Sequence, residues 1–249
     1  MQTTAFAVPI PSGQMAALRE LTAWMSNERN EPALRVRRQA GLDREQIFLQ
    51  HTPAGDVAII VWDTPNPARV FASFAYDESD FGLYFRHKLP EIHEGYLEAL
   101  QNLPVPTVLS DWQSPGWSLE RFQPAAFCFP VPAGQVSAGN RWTASLAPGG
   151  SNRDKYVDVC RTFGIERQLF SVQSMPEGEI AVMYGEGRPD WFPNAFQTMA
   201  MSDDSVLAKW RDGINSIAAA PVFGDDATPP RVEQLLHLVM NEPATISRT

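Results

Sequence analysis

The hydrophobic positions change their period along the chain in a regular order. Phe6, Val8 and Ile10 alternate with other residues and stop at Pro11, which predicts a short strand ended by proline. Ser12 then stands as an N-cap for a helix with Met15, Leu18, Leu21 and Met25 on one stripe, and the helical region closes near Gly41, a C′ candidate. Two apolar runs come next, Ile47 to Thr52 and Asp56 to Trp62, joined by Pro53-Ala54-Gly55, which suits a three-residue hairpin with a left-handed glycine. Asp77 to Ser79 can cap a helix carrying Phe81, Tyr84, Phe85, Leu89 and Ile92, and Thr107 to Trp112 reads as a closing strand.

The same order then recurs. Residues 5 to 14, AFAVPIPSGQ, match residues 126 to 135, AFCFPVPAGQ, at an offset of 126 − 5 = 121. The block from Ala40 to Trp62 matches that from Phe163 to Gly185 at 163 − 40 = 123, with Pro176-Glu177-Gly178 as the second hairpin turn. Phe85 and Arg86 align with Trp210 and Arg211 at 125, in a helix that also carries Val206, Leu207, Ile214 and Ile217. Three blocks in one order, separated by small insertions such as that at Pro148-Gly149-Gly150, read as a tandem duplication. The expected boundaries are repeat 1 over 1–112, a linker over 113–125, repeat 2 over 126–224, and a C-terminal helix and tail over 225–249. In the second copy only a weak final strand is expected, near Pro221 to Gly224, with a helix after it from Pro230 to Asn241 capped by Thr228.

The order β-α-β-β-α-β is that of a ferredoxin-like unit, so the expected fold class is α+β, with two such units fused in tandem. Pairing Thr52 with Asp56 puts Ile47, Leu49, His51, Val57, Ile59 and Val61 under the helices, and Phe48, Gln50, Ala58, Ile60 and Trp62 on the open face. In the second copy the open face would carry Ser171, Gln173, Ala181, Met183 and Gly185. Two open faces packed together would enclose Gln50 and Gln173 among aromatics, so the expected ligand-binding residues are Phe48, Gln50, Trp62, Ser171, Gln173 and Met183. The plainer reading is that the two amides bond each other or backbone groups.

The chain resembles the dimeric α+β barrel superfamily, whose ferredoxin-like units pair face to face. In particular it is similar to small uncharacterised proteins with a Q-x-T-P-x-G-D hairpin, here Gln50-His51-Thr52-Pro53-Ala54-Gly55-Asp56 and, altered, Gln173-Ser174-Met175-Pro176-Glu177-Gly178-Glu179. The likeness covers 5 to 112 and 126 to 220 and implies face-to-face sheets with a ligand between them. It implies no reaction, because the superfamily holds cofactor-independent monooxygenases, isomerases, haem enzymes and inactive binding modules.

Composition narrows the classes further. A formal charge of -9 opposes a nucleic-acid backbone, and the only dense basic group is Arg35, Arg37 and Arg38, read as a solvated helix face. No stretch is apolar enough to cross a membrane and no signal segment stands at the start, so a cytoplasmic protein that does not engage a membrane is expected. Cys128 and Cys160 are read as buried thiols. His51, His87, His93 and His237 lack metal-ligand spacing, His93 fits a helix C-terminus, and no nucleotide loop or Gly-x-Ser-x-Gly elbow occurs; neither metal nor cofactor is expected. These exclusions leave a small-molecule-binding or interaction module taking a small apolar or aromatic ligand, as a monomer or weak homodimer. The alternative is a cofactor-independent enzyme of the monooxygenase or isomerase type, with haem binding a distant third.

Overall fold

The computed structural model describes residues 2–27, 30–93, 105–115, 117, 122–146, 149–175, 178–224 and 228–240. Its elements in chain order are β1 (Gln2–Ile10), α1 (Met15–Asn27), α2 (Asn30–Ala40), β2 (Arg44–Thr52), β3 (Gly55–Thr64), α3 (Pro67–Tyr76), α4 (Asp80–Ile92), β4 (Thr107–Gln113), β5 (Gln123–Val131), α5 (Val136–Leu146), α6 (Arg153–Thr162), β6 (Ile165–Met175), β7 (Gly178–Gly187), α7 (Trp191–Met201), α8 (Ser205–Ile217) and β8 (Arg231–Val239). The succession strand, two helices, hairpin, two helices, strand occurs twice. Helices outnumber the sequence expectation because each helical region is split in two and because α3 and α7 come directly after the hairpins. Asn66 caps α3 by accepting from the Arg69 N–H, with Pro67 at the first helical position. α1 starts after Ser12, on a Pro11–Gln14 turn, with the Gln14 carbonyl accepting from Leu18.

The chain divides into two units. Unit 1 takes the described residues of Met1–Thr4, Val8–Val105 and Glu233–Thr249, and unit 2 those of Ala5–Ala7 and Pro106–Val232. Each holds a four-stranded sheet, ordered β1-β3-β2-β8 and β4-β6-β7-β5. The expected last strand of copy one therefore forms, but beside β6 rather than in its own sheet. An alternating strand specifies which face it buries and says nothing about its neighbour. The expected helix from Pro230 is a strand: Leu236, Leu238 and Met240 are buried on alternate positions, and Met240 donates its N–H to Asp43. Its Glu, Gln and Leu content favours helix, and pairing in the sheet overrides that weak preference. The helix expected from Pro230 is corrected accordingly, and 225–227 and 241–249 of the expected C-terminal segment lie outside the described residues.

The hairpin register differs by one residue from expectation. Thr52 pairs with Gly55 and His51 with Asp56, leaving a two-residue loop. The Thr52 hydroxyl accepts from the Ala54 N–H and donates to the Gly55 carbonyl, which closes the turn. A slip of one inverts every side chain of β3. The helix-covered face of unit 1 thus carries Ile47, Leu49, Ala58, Ile60 and Trp62, and the open face carries Phe48, Gln50, Val57, Ile59 and Val61. In unit 2, Gln173 pairs with Ile180 and Phe170 with Met183, which puts Phe170, Val172, Ala181 and Met183 under the helices and Ser171, Gln173, Val182 and Tyr184 opposite. Pro176 and Glu177 of the second expected turn lie outside the described residues. Phe85 and Trp210 are both buried on their helices, at equivalent places.

Candidate functional site

The register places Trp62 and Met183 on the helix-covered faces, and Phe48, Gln50, Ser171 and Gln173 on the open ones, so the six expected residues do not form one group. Gln173 accepts from the Ala7 N–H at 2.9 Å, and the Ser171 hydroxyl donates to the Ala5 carbonyl at 2.8 Å, both within unit 2. These side chains are engaged with backbone. The Gln173 amide nitrogen lies 3.1 Å from the Met175 sulfur.

The space between sheet and helices is built differently in each unit. In unit 1, α2 projects Arg37 into the core, where its Nε donates to Glu45 Oε2 at 2.5 Å and its guanidinium carbon sits 5.3, 5.6 and 5.9 Å from the Phe74, Phe81 and Phe85 ring centroids. Trp62 Nε1 donates to the other Glu45 oxygen at 2.8 Å. All three side chains are buried. Arg37, expected on a solvated face, is instead a buried charge paired at both the ionic and the aromatic level.

In unit 2 the equivalent layer contains a cavity of about 30 Å³. Its floor is sheet, with Phe127, Gln168, Met183 and Gly185; its roof is α7, with Trp191, Phe196 and Met199; Trp210 of α8 and Phe223 complete it. The α7 residues are what the sequence reading missed, although Trp191, Ala195, Phe196 and Met199 recur at helical spacing. Glycines let the roof descend: a Cβ on Gly185 would lie 2.6 Å from Trp191 Cη2, and one on Gly187 2.6 Å from Trp191 Cγ. The Trp191 indole lies against this bare backbone and donates to the Gln123 carbonyl at 2.7 Å.

The polar atoms around this cavity are nearly all committed. Tyr156 donates to Gln168 Oε1 at 2.7 Å, with the Cys160 sulfur 3.9 Å from the same oxygen. On the opposite face of the sheet, the Tyr184 hydroxyl donates to Glu186 Oε1. Trp210 Nε1 is the exception, a buried donor with no hydrogen-bond partner among the described residues. Burial raises the Tyr156 hydroxyl well above its usual range and pushes the Cys160 thiol up to about 12, so neither ionises near neutrality. The cavity thus combines an aromatic, apolar lining with one donor that is uncommitted among the described residues.

Both open faces carry a salt bridge at equivalent positions. Arg44 Nε donates to Asp63 Oδ2 at 2.6 Å, and Asp63 also accepts from Thr3. Arg167 lies 3.8 Å from Glu186, which accepts from Trp117 Nε1 at 2.8 Å. Among the described residues no three His, Cys, Asp or Glu side chains converge as a metal site. His93 caps α4 and points Nδ1 at the Pro9 carbonyl at 3.1 Å, and its burial lowers its pKa. No described helix is long and apolar enough to cross a membrane.

No protein-family model matches the chain, and no curated protein matches it. Among solved structures, an anthrone oxidase-like protein superposes with a TM-score of 0.50 at 12% identity, over 96% of this chain and 92% of its own. A candidate monooxygenase from Fusobacterium nucleatum subsp. nucleatum ATCC 25586 gives 0.43 at 8% identity, over 95% and 91%, and one from Lactobacillus acidophilus NCFM gives 0.47 at 8%, over 96% and 97%. The first likeness bears on the fold alone: the chain is an α+β protein of two ferredoxin-like units, each with a four-stranded sheet.

Proposed function

We propose that the chain binds a small, flat, mostly apolar molecule carrying a hydrogen-bond acceptor, in the cavity between the sheet and helices of unit 2. The observation that supports this reading is the Trp210 indole N–H, buried without a partner among the described residues beside an aromatic-lined space. An unsatisfied buried donor costs about 1–3 kcal/mol, and an acceptor on a ligand removes that cost. The anthrone in the name of one structural neighbour is an aromatic ketone, and it suggests the class to try. This reading moves the site from the open-face residues to Met183, Gln168, Trp191 and Trp210.

The smallest fused member of that class, 1-indanone, is a suitable probe. Wild-type protein is expected to bind it, and Trp210→Phe, which keeps the ring stack and deletes the N–H, is expected to weaken binding by about 3- to 10-fold, the worth of one neutral hydrogen bond. Equal affinity in the two proteins would refute the role given to Trp210. Oxygen uptake or formation of an oxidised product during the same titration would favour the cofactor-independent enzyme, which needs a base that neither Tyr156 nor Cys160 supplies near neutral pH.

A further inference from the structure

A cavity of about 30 Å³ accommodates one water molecule and not an aromatic ketone, so a ligand can enter only if a wall moves. Most of the wall is fixed. The sheet residues sit in β5, β6 and β7, which stay paired along the cavity apart from a register shift between Ile165 and Arg167, and the aromatic roof belongs to α7 and α8. Phe223 is the one described lining residue outside any helix or strand. It stands on the irregular segment 218–224, next to exposed Pro221 and beyond exposed Ala219 and Ala220. Its ring packs on Phe196 with centroids 4.6 Å apart.

One side chain holds that segment in place. Asn215, on the last turn of α8, accepts from the Val222 N–H at 2.8 Å and the Phe223 N–H at 3.0 Å, and donates its Nδ2 to the Phe223 carbonyl at 3.1 Å. The base of the segment is tied separately, by Ala219 donating to the Pro130 carbonyl at 2.9 Å. We propose that Phe223 is the gate of the unit 2 cavity and Asn215 the latch that holds it in place. Releasing the latch lets 221–224 swing outward about its tied base, lifts the Phe223 ring from Phe196, and opens the cavity to molecules larger than water. The inference rests on the reading of this cavity as the ligand site, but the opening itself is measurable without any ligand.

Trp210 supplies the readout, because its buried indole proton has no acceptor among the described residues and its exchange rate reports how readily solvent reaches the cavity. Hydrogen exchange of the tryptophan indoles, monitored by NMR, should show Trp210 exchanging about tenfold faster or more in Asn215→Ala, since up to three hydrogen bonds are lost. Asn215→Asp keeps the acceptor for both N–H groups and should fall between that variant and wild type, while Phe223→Ala should match or exceed Asn215→Ala. The Trp62 indole, bonded to Glu45 in unit 1, should exchange at an unchanged rate in all of them. Unchanged Trp210 exchange in both Asn215→Ala and Phe223→Ala would overturn the gate, as would equal acceleration of Trp62, which marks global opening. If Trp210 responds as expected but 1-indanone binds to none of the variants, the gate stands and the ligand reading falls.

Discussion

The two units put different chemistry at the same four positions, each pair 123 residues apart. Where unit 1 has Ala33, Arg37, Glu45 and Trp62, unit 2 has Tyr156, Cys160, Gln168 and Gly185. In unit 1 an ion pair and an indole fill the layer between sheet and helices. In unit 2 a neutral hydroxyl and amide replace the ion pair, and an indole is again present but arrives from α7, across the bare backbone of Gly185 and Gly187. Losing the bulk of Arg37 and Trp62 is offset only partly by Tyr156 and Trp191, and the cavity is the remainder. One backbone plan thus supports a core built on an ion pair and a neutral core that retains a small cavity.

The sharpest way to break this contrast is to remove one acid in unit 1 and one amide in unit 2. Glu45→Ala leaves Arg37 charged and buried, which should cost about 3–5 kcal/mol. Gln168→Ala strands only the Tyr156 hydroxyl and should cost about 1–3 kcal/mol. Denaturant unfolding of both variants measures the difference, and equal costs would contradict the claim that only unit 1 stakes its core on charge.

A second test concerns the glycines. Gly185→Ala forces a methyl to within 2.6 Å of Trp191 Cη2, so the indole must move, at about 1–3 kcal/mol. Loss of the hydrogen bond from Trp191 to the Gln123 carbonyl should accompany that movement, visible as a shift of the Trp191 indole resonance. A variant as stable as wild type, with that resonance in place, would show that the close approach is not needed.

A third test reads the pH dependence of unit 2, which holds both buried thiols. Burial raises Cys128 and Cys160 to about 12 from an ordinary value of 9.0. Below pH 9 both thiols are protonated whether folded or not, and their contribution is fully present. As pH rises from 9 toward 12 the unfolded chain ionises first, so stability falls, by at most about 1.4 kcal/mol per pH unit for each thiol. Replacing both with alanine should flatten that alkaline slope, and an unaltered slope would show that the thiols are not responsible.

Much of the scaffold was legible from sequence. The period-2 runs at Phe6, Ile47 and Asp56 and their counterparts fell on strands, and Asp77 to Ser79 capped α4, with the Ser79 hydroxyl accepting from the Gly82 N–H. The site was less so, for two physical reasons. Thr52 closes a two-residue loop with its own hydroxyl, and that single-residue slip moved Trp62 to the opposite face from the one expected; in unit 2 the pairing of Met175 with Gly178 does the same to Met183. The Asn66-Pro67 start of α3 and the aromatic stripe of α7 were readable helix signals, but both abut the hairpin strands, where the period changes within a few residues. Leu236 and Leu238 of β8 carry helix-favouring neighbours, and only the partner strand β2 decides their conformation.

The central claim is that unit 2 receives a guest at Trp210 while the matching layer of unit 1 stays closed around Trp62. Proton–nitrogen NMR of the tryptophan indoles during a titration with 1-indanone tests it directly, with Trp210→Phe and Trp62→Phe assigning the two resonances. The account predicts a saturable shift of the Trp210 indole and a stationary Trp62 indole. A shift at Trp62 with Trp210 unmoved, or no movement at either, would contradict it.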